Sequence, residues 1–144
     1  LARRAAAEAV ASGAALEQLR ALILYQGGDS RVVDAPELLP VAPVISTVRA
    51  EVAGYVSAID AGLVGSTMIR LGAGRATKAD DVDHAVGASF ERKVGAAVQP
   101  GDVLCTLHLR SPDQIPGATE AILAAYTFSP TPIAAPEIIL ERIT

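Results

Sequence analysis

The sequence predicts an α+β fold, with a mostly antiparallel sheet and two packed helices preceded by an N-terminal helical hairpin. Two observations predict it. Apolar residues recur with the helical period in the first 25 residues, whereas after Pro43 segments of period two alternate with two helical segments. Three prolines lie between these regions, and proline disfavours the interiors of helices and strands. We therefore expect a first part, residues 1–40, with helices and a linker, and an α+β domain over residues 41–144.

Two short helices make up the predicted N-terminal hairpin. The alanine-rich residues 2–12 favour helix, and Ser12-Gly13 ends it. A second helix is expected over residues 14–25, followed by Gly27-Gly28. Its apolar stripe consists of Ala15, Leu16, Leu19, Leu22 and Ile23. A hairpin this short cannot bury such a stripe by itself, so we expect it to pack against another part of a protein.

The second part is predicted to contain strands and two helices. Strands are expected from Val44 to about Glu51 and over residues 55–59, 89–94, 103–109 and 138–143. Asp60 is a favourable N-cap for a helix to about Leu71, with Gly72 at its end. The other helix begins at Ser111-Pro112 and carries Ala118, Ile122, Ala125 and Tyr126.

Composition narrows the classes of function. The chain is 51% hydrophobic and 19% charged, which favours a packed core over disorder. Its net charge is −4 and its sequence pI is about 5.1, so it is a poor candidate for binding nucleic acid or an anionic membrane surface. With a single cysteine it can form no internal disulfide, which suits a reducing cytoplasm.

Three side chains are candidates for chemistry, and we interpret all three as structural. His84 and His108 are far apart in the sequence, and a metal site needs ligands that converge. Cys105 could act as a nucleophile beside a histidine, but it lies on the apolar face of a predicted strand. A buried free cysteine usually behaves as a small hydrophobic residue. We therefore predict no catalytic, substrate-binding or metal-binding residue in this chain.

Two further segments have simpler structural interpretations. Gly72 and Gly74 resemble a phosphate-binding loop, but they follow a helix, whose C-terminus carries partial negative charge. The polar loop over residues 75–84 could hold a cation, but it lacks the glycine and late glutamate of a calcium loop. We expect Arg75 to pair instead with one of the carboxylates of this loop. These carboxylates are Asp80, Asp81 and Asp83.

The segment from Lys93 to Leu104 resembles the turns of biotinyl and lipoyl carrier domains, which belong to the barrel-sandwich folds. A carrier needs its modified lysine at an exposed hairpin tip. The chain has only two lysines, Lys78 and Lys93, and neither lies in such a pattern. The likeness therefore concerns the backbone of the turns. We keep a free-standing carrier or binding module as the alternative interpretation.

Several segments together resemble the pyrimidine-nucleoside phosphorylase and thymidine phosphorylase family. The matching segments, in order, are Gln26-Gly27-Gly28-Asp29, Gly54-Tyr55-Val56-Ser57-Ala58-Ile59-Asp60, Leu71-Gly72-Ala73-Gly74-Arg75, Val82-Asp83-His84-Ala85-Val86-Gly87, and Lys93-Val94-Gly95 through Gly101-Asp102. The resemblance implies a C-terminal α+β domain with a hammerhead-like sheet, preceded by the last helices of an α/β domain. Because the chain begins with Leu1 and not Met, we interpret this residue as a cut end.

The resemblance also implies a function for the parent enzyme. Members of this family split a pyrimidine nucleoside with inorganic phosphate, giving the free base and a pentose 1-phosphate, and are cytoplasmic homodimers. The family's glycine-rich phosphate motif and base-binding residues belong to an earlier part of the enzyme. Only scaffold positions transfer to this chain, including Asp60 and Asp83 as local hydrogen-bonding groups. We therefore expect no cofactor here, phosphate as a substrate of the parent, and an inactive scaffold that needs the N-terminal part as its partner.

Overall fold

A computed structural model of the chain describes residues 2–139, 141 and 143. It contains two compact units, one up to Pro40 and one from Val41 onward. None of the helices in the described ranges is long and apolar enough to cross a membrane.

The first unit is a helical hairpin followed by two short 3-10 turns. Helices α1 (Ala2–Ala11) and α2 (Ala14–Tyr25) meet at the predicted break. Helix α2 ends in a Schellman motif: the Gly28 amide donates to the Ile23 carbonyl at 2.9 Å, and the Gly27 amide donates to the Leu24 carbonyl at 3.0 Å. The 3-10 turns cover Ser30–Val33 and Pro36–Leu38. Neither helix of the hairpin has a buried residue. This agrees with the prediction that so short a hairpin cannot bury its apolar stripe by itself.

The second unit contains six strands and two helices among the described residues. Its elements are β1 (Val44–Arg49), β2 (Gly54–Ile59), α3 (Ala61–Met68) with a π-helical extension (Ile69–Ala73), β3 (Gly87–Phe90), β4 (Ala97–Val98), β5 (Val103–Leu109), α4 (Ile115–Ala125) and β6 (Tyr126–Ser129). The strands form two antiparallel sheets, ordered β1-β5-β3 and β4-β2-β6. The predicted α+β class is confirmed, with two three-stranded sheets and no closed barrel among the described strands.

Strand β5 lies at the centre of the core. Its residues Cys105, Leu107 and Leu109 are fully buried, as the alternation predicts. Leu104, which should point the other way, is fully buried as well. The amides of Glu91 and Arg92 donate to the Leu104 carbonyl, and the hydroxyl of Tyr126 lies 3.2 Å from the same oxygen, so the chain folds over this end of the strand.

Helix α4 closes the core from one side. It buries Ala118, Ile122 and Ala125, and it packs against α3. Its start is fixed by Ser111 and Gln114, which form a capping box around a 3-10 turn.

The structure corrects several predicted boundaries. The strand expected over 89–94 covers residues 87–90, and Tyr126, placed on the last helix, instead begins β6. The short β4 and β6 were not predicted, because a two-residue bridge and a strand following a helix directly leave no periodic signal. Residues 138, 139, 141 and 143 of the expected closing strand lie in no strand, whereas Leu140 and Arg142 lie outside the described residues.

Candidate functional site

Asp60 caps helix α3 as predicted. Its Oδ1 accepts a hydrogen bond from the Leu63 amide at 2.9 Å, which satisfies one of the free amides of the first turn. The helix continues into the π-helical extension, within which Gly72 has a non-helical φ of 108° that interrupts the helix and redirects the chain. The polar loop that follows therefore leaves from the carbonyl end of a helix.

This loop is held by two of its carboxylates. Asp80 accepts hydrogen bonds from the Ala76 and Thr77 amides and from the Thr77 hydroxyl at 2.7–3.0 Å, and these bonds lower its pKa. Asp83 forms a two-pronged ion pair with Arg110, whose Nη2 lies 2.7 Å from Oδ1. The predicted pairing of Arg75 is wrong for the described residues: Arg110, just beyond β5, takes that role.

Asp83 joins three parts of the second unit. Its amide donates to the Gly72 carbonyl at 2.9 Å, its Oδ1 accepts from the Ala85 amide at 3.0 Å, and the Arg110 guanidinium lowers the pKa of its carboxyl group. The Gln114 side chain extends this network, since its Oε1 accepts from the Arg110 amide at 3.0 Å. The side chains of Asp83, Arg110 and Gln114 each have a hydrogen-bond partner within the chain. Such a network is typical of residues that hold a loop in place.

The two histidines lie on different elements of the second unit. His84 lies in the loop, whereas His108 lies on β5 opposite Ile45 and Gly87 in the strand register. Over the described ranges, no group of three or more His, Cys, Asp or Glu side chains could hold a metal ion. The arrangement offers no convergent ligand set around either imidazole.

Cys105 is unsuited to act as a nucleophile. The side chain is fully buried, and burial together with the nearby Glu91 raises the pKa of its thiol to about 12. Because the thiolate is the reactive form, a thiol with this pKa is inert at neutral pH.

The glycine segment after α3 does not form a phosphate cradle. Gly72 follows the last turn of a helix, where carbonyl oxygens and not amides are free. The carrier interpretation gains no support from geometry either, because Lys78 lies in the loop held by Asp80 and Lys93 lies beside the turn at Gly95.

A small cavity of about 250 Å³ lies between α3 and the start of α4. Thr67, which is only 2% exposed, lines it and accepts a hydrogen bond from Arg70 Nη2 at 2.9 Å. Asp113 also lines the cavity, and its carboxylate opposes the binding of an anion there. The Arg70 guanidinium lines the same cavity, so its described lining holds one cation and one carboxylate and not a cluster of cations.

The second unit is, in class, a small α+β domain whose polar loop is held by hydrogen bonds and an ion pair to residues of the same unit. The profile of the pyrimidine nucleoside phosphorylase C-terminal domain matches residues 55–129. The chain therefore belongs to the family of pyrimidine nucleoside phosphorylase C-terminal domains, and the resemblance of its motifs is confirmed.

Two curated relatives extend this match. The pyrimidine-nucleoside phosphorylase of Geobacillus stearothermophilus is 38% identical over 143 residues, which cover 99% of this chain and 33% of the relative. The pyrimidine-nucleoside phosphorylase of Staphylococcus aureus (strain USA300) is 43% identical over 106 residues, covering 74% of this chain and 24% of the relative. The chain thus spans a third or less of the length of these relatives.

Proposed function

We propose that this chain is the C-terminal domain of a phosphorylase that splits a pyrimidine nucleoside with inorganic phosphate into the free base and a pentose 1-phosphate. The observation that carries the proposal is the family match over residues 55–129, within relatives that are about three times as long. The parent enzyme would be a cytoplasmic homodimer that serves pyrimidine salvage, with phosphate as a substrate and no organic cofactor.

The role of the domain in this enzyme is support. Phosphorolysis develops positive charge on the sugar and brings phosphate against it, so it needs cations and amide donors around the anion. In the second unit, Arg110 and Arg92 form ion pairs with Asp83 and Asp102. Arg49 and Arg70 donate to the Gly101 carbonyl and the Thr67 hydroxyl, so four of the five described guanidinium groups of this unit already have partners within it. The site of chemistry would therefore lie on the part of the enzyme that precedes this chain.

Activity measurements test this proposal directly. Purified chain incubated with uridine, thymidine and phosphate is expected to release no base above the protein-free rate. A chimera in which this chain replaces the matching third of the Geobacillus relative is expected to keep activity within about tenfold of that relative, whereas removal of the third should abolish it. Turnover by the chain alone would contradict the scaffold role, and a folded but inactive chimera would contradict the assignment to this enzyme.

The hairpin of the first unit provides a second test. Leu16, Leu19 and Leu22 on α2 are each about half exposed, at 47%, 45% and 51%. We propose that this stripe covers a surface of the preceding part of the enzyme, and that the isolated chain self-associates through it.

Light scattering measures this self-association. Leu19→Glu with Leu22→Glu should turn an associated chain into a monomer, because a buried carboxylate without a partner is costly. Exchanging the exposed Glu8 and Glu17 for Gln serves as the control and should leave the association unchanged. A wild-type chain that stays monomeric at high concentration would count against this interface.

A further inference from the structure

An apolar groove opens on the second unit beside the start of α3. It has a volume of about 790 Å³, and ten of the described residues line it. Nine of the ten are apolar or glycine, and the tenth is Lys93. The walls come from three segments: the end of β2 with α3, the segment after β3, and residues 135–138. We refer to it as the apolar groove.

The size of the groove favours a small ligand over a protein partner. Sites for small molecules usually measure about 300–1,000 Å³ and are mostly apolar with a few polar groups. A stable protein interface takes about 20–30 residues from each side, more than the ten that line this groove.

The charge of the groove favours an anion with a single charge. Lys93 is exposed and forms no ion pair with the described carboxylates, and no Asp or Glu is among the described residues that line the groove. A phosphate monoester carries nearly two charges and binds best to several donors or a guanidinium fork, which a lone ammonium group does not supply. A carboxylate needs only one such partner.

The floor of the groove is open at Gly65. A Cβ atom built on this residue of α3 meets no heavy atom within 4 Å. Phe90, part of an aromatic row with Tyr126, forms a firm apolar wall. The surface of α3 at Gly65 is therefore open to part of an alkyl chain, and Phe90 supplies an apolar contact.

From this combination we infer that the apolar groove binds a straight-chain fatty acid, with its alkyl chain against Gly65 and Phe90 and its carboxylate at Lys93. The inference is independent of the proposed phosphorolysis, because every group it uses lies within the second unit. Binding is non-covalent and needs no other reactant.

Titration with dodecanoate, below the concentration at which it forms micelles, tests the inference. Calorimetry should give one saturable site, and amide resonances of residues around the groove should shift. Lys93→Ala should weaken dodecanoate binding about tenfold, the loss of one charge-assisted contact worth about 1.4 kcal/mol. Dodecanol, which lacks the charge, should bind more weakly and respond little to this variant.

Two glycine variants supply the steric test. Gly65→Leu should block the groove, while Gly117→Leu, at an equally open position on α4 outside the groove, should bind dodecanoate as the wild type does. Both replace a helical glycine by a better helix former, so both should fold. The inference is overturned by an absence of saturable binding, by equal affinity for dodecanol, or by binding that survives Gly65→Leu. It is also overturned if the groove resonances shift only with protein concentration, which would make the occupant a second copy of the chain.

Discussion

Gly54→Ala is expected to destabilise the second unit by about 3 kcal/mol, among the largest effects of any single methyl group in this domain. Gly54 begins β2, the central strand of its sheet, with a φ of 152° that side chains rarely adopt. A Cβ at this position would lie 2.6 Å from the Ser129 carbonyl oxygen of β6. Because that atom belongs to the backbone, either the strand pairing or the turn before β2 must shift.

Gly101→Ala is the matched control for this prediction. Gly101 has a φ of 94°, but a Cβ there meets no atom within 4 Å, so the variant isolates the cost of the backbone conformation, about 1–2 kcal/mol. Chemical denaturation of both variants measures the difference in the free energy of unfolding. Equal losses for Gly54→Ala and Gly101→Ala would mean that the β2–β6 contact is looser than the structure indicates.

The two glycines also illustrate what the sequence could predict. Gly101 follows Pro100 in a turn closed by the Asp102 amide on the Gln99 carbonyl at 3.0 Å, and proline followed by glycine predicts such a turn locally. The sequence predicts a turn at Gly54 as well. Its close approach to Ser129, 75 residues later in the chain, depends on a strand pairing that no local pattern encodes.

In the candidate site, too, local sequence predicts some features, whereas others depend on residues that are distant in the sequence. The Asp60 cap and the helix end at Gly72 follow from neighbouring residues, and the sequence predicts both. The sequence predicts that Arg75 pairs with one of the loop carboxylates, whereas the carboxylate of Asp83 pairs with Arg110, 27 residues away beyond β5. Ion pairs are satisfied by whichever charge the fold places nearby, so local sequence gives the carboxylate but not its partner.

Tyr126 ties the two sheets together, because its ring lies between Phe90 of one sheet and Phe128 of the other. The ring centroids are 6.4 Å and 5.9 Å from that of Tyr126, within the usual range for aromatic pairs. Its hydroxyl donates to the Arg92 carbonyl at 2.9 Å and lies 3.2 Å from the Leu104 carbonyl. Tyr126→Ala should therefore cost about 3–5 kcal/mol, and Tyr126→Phe, which keeps the ring, only about 1 kcal/mol.

The pH dependence of unfolding separates the hydroxyl of Tyr126 from its ring. Burial, with smaller effects from Cys105 and Glu91, raises the pKa of Tyr126 from 10.0 to about 12. The stability that the neutral phenol contributes is thus complete below pH 10 and lost as the pH rises toward 12, because the unfolded chain releases its proton first.

Tyr126→Phe lacks this loss. The deficit in its free energy of unfolding relative to the wild type should therefore shrink between pH 9 and about pH 11 in urea titrations. Cys105 is present in both proteins, so the desolvation of its own thiol contributes equally to both titrations. A deficit that stays constant over this range would show that the hydroxyl of Tyr126 is solvated, and that the aromatic row alone joins the sheets.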